Sequence, residues 1–116
     1  MGLTWSPRAD SLLLMITIEP AHLYDQGQWA AETFGPGPRA GVFRHLEKEV
    51  KEAELNPEDV YEWADLLILA FDGAMRSGHE PEEILRAYHA KMIENRHRTW
   101  PDWRGLPTDV AIEHVR

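Results

Sequence analysis

Four carboxylates near the middle of the chain form two pairs with the same spacing. Glu49 and Glu52 are three residues apart, and Glu62 and Asp65 repeat that spacing. On a helix that advances about 100° per residue, each pair lies on nearly one face. Clustered like charges repel unless a cation is bound, and a set of oxygen ligands favours Mg²⁺ or Mn²⁺ over zinc. The spacing predicts a divalent-metal site; a solvated acidic surface is the alternative.

A second group of residues has the chemistry of a phosphate-binding surface. Lys91, Asn95 and Arg98 are spaced four and three residues apart, so they lie on one stripe of a helix. Arginine can donate two hydrogen bonds to one phosphate, and lysine adds a point charge. A row of solvated side chains at a helix end is the alternative. Together with the acids, the stripe is typical of a site for a nucleotide and its cation.

Prolines and glycines divide the chain into the elements that must hold these residues. The segment GPGP at 35–38 predicts a fixed loop from Phe34 to Arg39. A helix is expected before it, over Pro20 to Thr33, and another after it, over Ala40 to Leu55. The second has an apolar stripe for burial, made of Val42, Phe43, Leu46, Val50 and Ala53.

Two further helices are expected after that stripe. Asn56 as the cap and Pro57 at the first helical position predict a helix that runs to about Arg76. The next begins near Pro81 and ends at about Arg98. Residues 99–116 are expected to form an irregular tail pinned by Trp100 and Trp103. A short connection makes the second and third helices antiparallel neighbours, so that the two acid pairs face each other.

The expected fold is therefore all-α, an antiparallel bundle of four main helices. The third helix is apolar on almost every side, which indicates that more than one surface covers it. We expect a second subunit to supply part of that cover, in a homodimer or a homotetramer. The stretch from Leu12 to Ile18 fits either a strand or a helix extension.

Charge and composition exclude several classes of protein. The 116 residues include no cysteine and 20 acidic against 12 Lys and Arg side chains, for a net charge of −8. Without cysteine there is no disulfide scaffold and no thiolate zinc site. The negative charge argues against nucleic acid and anionic membranes as partners. The apolar run at 11–18 is too short to span a membrane and lacks the flanks of a signal peptide. A soluble cytoplasmic protein is expected, in the host cytoplasm if a phage encodes it.

Six segments together resemble the MazG-like all-α nucleotide pyrophosphohydrolases. Within that family, the resemblance is to the dATP/dGTP diphosphohydrolase branch (domain of unknown function 550), which includes the phage MazZ enzymes. It covers about residues 26–116 and leaves residues 1–25 outside as an N-terminal extension. The segments are FGPGPR at 34–39, HLEKEVKE at 45–52, DVYEWAD at 59–65, LAFDG at 69–73, KMIENRHRTWPDW at 91–103 and AIEHVR at 111–116.

The resemblance implies hydrolysis of a purine deoxynucleoside triphosphate between its α and β phosphates. Products would be the monophosphate and pyrophosphate, and a phage enzyme of this branch would supply dGMP for 2-aminoadenine in DNA. Two or three Mg²⁺ or Mn²⁺ ions would activate water. Glu49 is our choice for the residue that orients or deprotonates that water. The metal ligands would be Glu49, Glu52, Glu62 and Asp65, and the residues that hold substrate would be Lys91, Asn95, Arg98, Arg39 and Asp72.

Other functions fit parts of the pattern. A house-cleaning hydrolase of non-standard nucleotides would use the same residues. A di-iron carboxylate bundle needs two Glu-x-x-His steps, and the chain has one, at Glu94 and His97. A helical oligomerisation module without activity would need the acids only for solubility. Trp29, Phe34 and Trp63 could stack on a base, although tryptophans in small helical proteins more often pack in a core or an interface.

Overall fold

Four α-helices account for most of residues 16–116, the part of the chain that the computed structural model describes. They are α1 (Pro20–Phe34), α2 (Gly41–Leu55), α3 (Val60–Arg76) and α4 (Pro81–His97), and a short 3₁₀ helix follows at Trp103–Gly105. These residues include no strand, which confirms the all-α prediction. Most of the Leu12–Ile18 stretch, for which strand and helix were both open, lies outside the described residues, as does most of the apolar run. The predicted domain boundary after residue 25 falls within α1 and stays a prediction.

Local signals set both ends of α1. Pro20 occupies the first turn, where its missing amide hydrogen leaves no hydrogen bond unmade. The backbone nitrogen of Glu19 donates to Nδ1 of His22 (2.9 Å), and the Glu19 side chain accepts from the His22 backbone, so the two residues cap the helix reciprocally. At the other end, Gly35 has a φ of 96° and its nitrogen donates to the Ala31 carbonyl (3.0 Å). The helix stops where the predicted loop begins.

The predicted start of α3 at Pro57 is wrong. Asn56 ends α2 instead, with its nitrogen donating to the Glu52 carbonyl (3.0 Å). Residues 56–59 form the turn between the helices, and the Asp59 carboxylate caps α3 by accepting from the Tyr61 nitrogen (3.0 Å). The reversal of the chain uses these residues, so α3 begins three positions later than its proline suggests.

The buried face of α2 differs from the predicted stripe. Val42 and Ala53 are buried and Leu46 is half-buried, but Phe43 and Val50 are 55% and 53% exposed. The inward face follows a spacing of four, three and four residues, and its third position is Glu49, which is 6% exposed. Helix α2 packs against α3, and α1 packs against α3 as well. The core of these three helices consists of small and branched residues: Leu23, Ala30, Val42, Ala53 and Leu69.

The described residues divide into two compact units, residues 16–85 and residues 86–116. The second unit contains most of α4 and the tail. Its tail is held by Trp100, whose Nε1 donates to the Asn95 carbonyl (2.8 Å) and whose ring meets His114 edge-on. The prediction that Trp103 also pins the tail is wrong: Trp103 is 65% exposed, and its ring contacts the guanidinium of its neighbour Arg104.

Among the helices described, none is both long and apolar enough to cross a bilayer.

Candidate metal centre

Three carboxylates from two helices meet beside the α2–α3 turn. Glu49 and Glu52 project from α2 and Glu62 from α3, and one oxygen from each lies within 4.8 Å of the other two. Both acids of the first predicted pair therefore face Glu62 of the second across the helix interface. Glu49 is buried, and Glu52 and Glu62 are half-buried, so the cluster lies at the edge of the core.

The position of Glu49 and Glu62 follows from the packing of the two helices. Glu49 continues the inward stripe of α2, and Glu62 continues that of α3, which Leu66 and Leu69 form one and two turns further on. At these positions an apolar side chain would ordinarily fill the interface. Carboxylates there are drawn into the core by the same packing that buries their apolar neighbours.

Two oxygens of this cluster are buried without a hydrogen-bond partner. They are Oε2 of Glu49 and Oε2 of Glu62, for which residues 16–116 provide no donor. An unpaired carboxylate oxygen away from water carries a large desolvation cost, which a bound cation would remove. The donor set consists of oxygens only, as Mg²⁺ and Mn²⁺ prefer. The residues present therefore fit a divalent cation.

The pKa values of the three glutamates are shifted by burial and by the neighbouring carboxylates. The pKa of Glu49 is raised above its usual value because its protonated carboxyl can donate a hydrogen bond to Glu52, because it is buried, and because Glu52 and Asp65 are negative. The same hydrogen bond lowers the pKa of Glu52. Burial, followed by the charge of Glu52, raises the pKa of Glu62. Both raised values reflect burial and neighbouring negative charge, which disfavour the ionised carboxylates.

Asp65 lies close to the three glutamates but outside their cluster. Its charge contributes to the raised pKa values of Glu49 and Glu62. It lines a cleft of about 220 Å³ together with Glu49, Trp29 and Phe34. Its role as a fourth metal ligand stays a prediction.

His45 is a neighbour of the cluster that the sequence reasoning did not single out. Its Nε2 is 3.3 Å from Oε1 of Glu49, one helical turn further along α2. The four-residue spacing of the two side chains is the signal that could have identified the contact. The histidine is half-exposed, so it forms part of the wall of the site rather than of the core.

A groove leads from the acids to the loop after α1. The cleft beside Glu49 shares Phe34, His45 and Leu69 with a second cleft of about 230 Å³, and the second continues to Arg39 and Arg76. The rings of Trp29 and Phe34 meet edge-on at 5.4 Å between centroids, and both are about half-exposed along the first cleft. The acids thus lie at one end of the groove and guanidinium groups at the other.

The predicted substrate residues Arg39 and Asp72 both line the second cleft. The Arg39 side chain lies against Gly35, where an added Cβ would come within 2.8 Å of its guanidinium. Both oxygens of Asp72 accept from Nε of Arg76, at 3.1 and 2.9 Å. Arg76 was not predicted as a site residue. Contact of Arg39 and Asp72 with substrate stays a prediction.

The predicted basic stripe belongs to the second unit, where Glu94 pairs with it. Nζ of Lys91 is 3.3 Å from Glu94, and Arg98 donates to both Glu94 and Oδ1 of Asn95, the latter at 3.1 Å. Lys91 and Asn95 lie on α4, and Arg98 directly follows its last residue, His97. Binding of phosphate by this stripe stays a prediction.

Trp63 has a structural contact that its position in the sequence did not indicate. Its Nε1 donates to the Pro57 carbonyl (2.9 Å), which ties the first turn of α3 to the α2–α3 turn. The indole is 53% exposed. Trp63 therefore stabilises the turn that brings Glu52 and Glu62 together.

The sequence of the chain is similar to those of known proteins. A sequence model of the dATP/dGTP pyrophosphohydrolase family matches residues 23–116. The Eaa protein of Salmonella phage P22 is 38% identical over 78 residues, which make up 67% of this chain and 25% of Eaa. The chain thus spans about a quarter of the length of that curated relative.

A solved structure has the same fold. The MazG-like pyrophosphohydrolase of cyanophage S-2L, bound to dGDP and three catalytic Mn²⁺ ions per active site, superposes with a TM-score of 0.67 at 27% identity. The match covers 86% of this chain and 100% of the cyanophage chain. The MazG-like fold expected from the six sequence segments is confirmed. Since the family model also matches well over half of the residues, the chain belongs to the dATP/dGTP pyrophosphohydrolase family.

Proposed function

We propose that the protein hydrolyses dGTP and dATP between the α and β phosphates, which yields the deoxynucleoside monophosphate and pyrophosphate. The observation that carries the proposal is the acid cluster with two buried, unpartnered carboxylate oxygens at the end of a groove. Water supplies the oxygen that the α phosphorus gains, and pyrophosphate leaves with the oxygen of the broken anhydride. Membership of the family supports the choice of purine deoxynucleotides.

Glu49, Glu52, Glu62 and Asp65 would hold the cations, Mg²⁺ or Mn²⁺. The three Mn²⁺ ions per active site of the cyanophage S-2L enzyme support a stoichiometry of two or three. When bound, such ions neutralise charge on the phosphate oxygens and favour deprotonation of the attacking water. Glu49, the most buried of the acids, would orient that water or accept its proton.

Residues with positive charge would hold the triphosphate. Arg39 is suited to this role because its guanidinium lines the groove that begins at the acids. Lys91 and Asn95 on α4 and Arg98 just after it have suitable chemistry, and phosphate would then replace the Glu94 carboxylate as the partner of Lys91 and Arg98. Asp72 could accept a hydrogen bond from a purine amino group.

The biological role we propose is the supply of dGMP, which a phage uses as the precursor of 2-aminoadenine in its DNA. The two phage relatives support this role, and so does the dGDP bound to the cyanophage enzyme. The proposed assembly is a homodimer or a homotetramer that covers the apolar faces of α3.

Product analysis tests the activity. The protein is incubated with each canonical dNTP and with GTP, with Mg²⁺, with Mn²⁺ or with EDTA, and the products are separated. We expect pyrophosphate with dGMP or dAMP, and no turnover in EDTA. Release of inorganic phosphate without pyrophosphate would contradict the cleavage site.

A matched pair of variants on α2 links the activity to the cluster. Glu49→Gln should lower kcat by about 10²–10⁴-fold, the usual contribution of a general base. Glu47→Gln is the control, because Glu47 lies on the same helix but is exposed and paired with Arg44. Equal kcat values for the two variants would remove Glu49 from the reaction.

A further inference from the structure

Arg76 connects three parts of the first unit through one guanidinium. At the end of α3, its Nε donates to both Asp72 oxygens, and its Nη1 donates to the carbonyls of Gly35 (2.9 Å) and Gly37 (2.8 Å). Its Nη2 donates to the Ala30 carbonyl in the last turn of α1 (3.4 Å). The side chain is only 9% exposed. All the nitrogens of this buried cation are therefore used in hydrogen bonds.

The loop after α1 accepts two hydrogen bonds from Arg76. Its two prolines have no amide hydrogen to donate. Gly35 and Gly37 have φ values of 96° and 80°, in the region that favours glycine. Across the described part of the chain, the carbonyls of these two glycines accept hydrogen bonds from Arg76 and from no other group.

The same loop carries two residues that face the groove. Phe34 lies at the start of the loop and lines both clefts. Arg39 lies at its end and lines the second cleft, together with Arg76. A shift of the loop would move both side chains relative to Glu49 and Asp65. Arg76 itself projects from α3, the helix that also carries Glu62 and Asp65. Its contacts thus tie the loop to the helix that bears half of the acids.

We propose that Arg76, oriented by Asp72, is a positioning residue that holds the Phe34–Arg39 loop in register with the metal-binding acids, so that Arg39 meets the substrate's phosphates. The inference rests on the proposed function and adds a residue to it. Arginine suits this purpose because the three nitrogens of its planar guanidinium donate in several fixed directions at once. A lysine ammonium donates from a single nitrogen.

A double-mutant cycle between Arg76 and Arg39 tests the proposal. Arg76→Met retains an unbranched apolar side chain but no donors, and we expect kcat/KM for dGTP to fall about 100-fold, mostly through KM, because misplacement by about 1 Å has effects of that size. Arg39→Met should have a much smaller effect in the Arg76→Met protein than in the wild type, because the loop is already displaced. Arg76→Lys should not restore the wild-type KM. Arg44→Met is the matched control, since Arg44 is exposed on α2 and pairs only with Glu47 among the residues described.

Two measurements that do not depend on catalysis accompany the double-mutant cycle. The rise in Tm on addition of Mn²⁺ should be the same for Arg76→Met as for the wild type, because the acids are unchanged. Hydrogen exchange of the Gly35 amide, which donates to the Ala31 carbonyl, should be faster in the variant. If Arg76→Met does not fold, Arg76→Lys carries the same comparison.

The outcomes separate this inference from the proposed function. Wild-type protein that releases no pyrophosphate from dGTP or dATP would contradict the proposed function. Wild-type turnover with an unchanged KM in folded Arg76→Met, or independent effects of the Arg76 and Arg39 substitutions, would overturn the positioning role alone.

Discussion

Glu49 and Glu62 occupy positions that an apolar residue would ordinarily fill. Each continues an inward stripe of its helix, and each has one oxygen to which the described residues offer no donor. A metal-free protein must keep these groups desolvated, and their raised pKa values show the cost in free energy of keeping them charged. We therefore expect the ionised acids to lower the stability of the fold at the place where a bound cation would raise it.

We predict that Glu62→Gln stabilises the metal-free protein at neutral pH and weakens its response to Mn²⁺. The neutral amide removes a desolvated charge that Glu49, Glu52 and Asp65 repel. Because the folded-state pKa of Glu62 lies above its ordinary value of 4.5, the wild-type protein loses stability as the pH rises through that folded-state pKa. The difference in stability between Glu62→Gln and the wild type should be largest above the folded-state pKa of Glu62. It should shrink as the pH falls toward 4.5.

Thermal unfolding in EDTA and in Mn²⁺ across this pH range measures the effect. Mn²⁺ should raise the Tm of the wild type more than that of Glu62→Gln, which reverses their order. Glu47→Gln provides the control for loss of an exposed charge. A Glu62→Gln Tm that is lower than wild type in EDTA at neutral pH would contradict the prediction.

At the scale of elements, the α2–α3 hairpin positions the site. Residues 56–59 reverse the chain, Asp59 caps α3, and Trp63 ties its first turn to the Pro57 carbonyl. Neither Asn56 nor Pro57 starts α3 as predicted, because Asn56 ends α2 and Pro57 lies in the turn. A proline at the first helical position is a preference, and here the turn decides where the helix starts.

We predict that Asp59→Ala destabilises the protein by about 1 kcal/mol, the usual effect of removing a capping side chain. The Asp59 carboxylate accepts the Tyr61 amide hydrogen, which the variant leaves to water. Because the cap lies outside the acid cluster, kcat well below the Tm should stay within about twofold of wild type, a small free-energy change. Chemical denaturation of this variant beside Glu58→Ala, which removes a neighbouring acid of the same turn, gives the comparison. Equal unfolding free energies for the two variants would contradict the capping role.

At the scale of the whole molecule, much apolar surface of α3 stays exposed in one chain. Val60, Trp63, Leu67 and Ile68 are between 43% and 70% exposed, although the helix packs against both α1 and α2. Exposed apolar surface of this extent is typical of contact sites between subunits. The net charge of −8 opposes association, and cations bound at the acids would reduce that repulsion.

We predict that the protein associates, as a dimer or a tetramer, at micromolar concentration. Sedimentation velocity in the presence of Mg²⁺ measures the species directly. Leu67→Glu should shift the protein toward the monomer, because it places a charge on the exposed apolar face of α3. Leu55→Glu is the control for added charge, at an apolar residue of α2 that is 79% exposed, compared with 48% for Leu67. A wild-type monomer under these conditions would contradict the prediction.

The sequence by itself determined the helices, the loop at 34–39, the two acid pairs and the family. These features depend on signals within a few residues: a proline, a glycine, a repeat of three and four positions, or a conjunction of short motifs. Only the tertiary structure decided which acids are buried. Glu49 and Glu47 are the same type of residue on one helix, but Glu49 lies on the buried face of α2 and Glu47 on an exposed one. It also decided that Arg76 holds a loop some 40 positions away in the chain, since such a contact depends on how two helices pack. Local preferences shape the elements, and the geometry between elements determines which side chains meet.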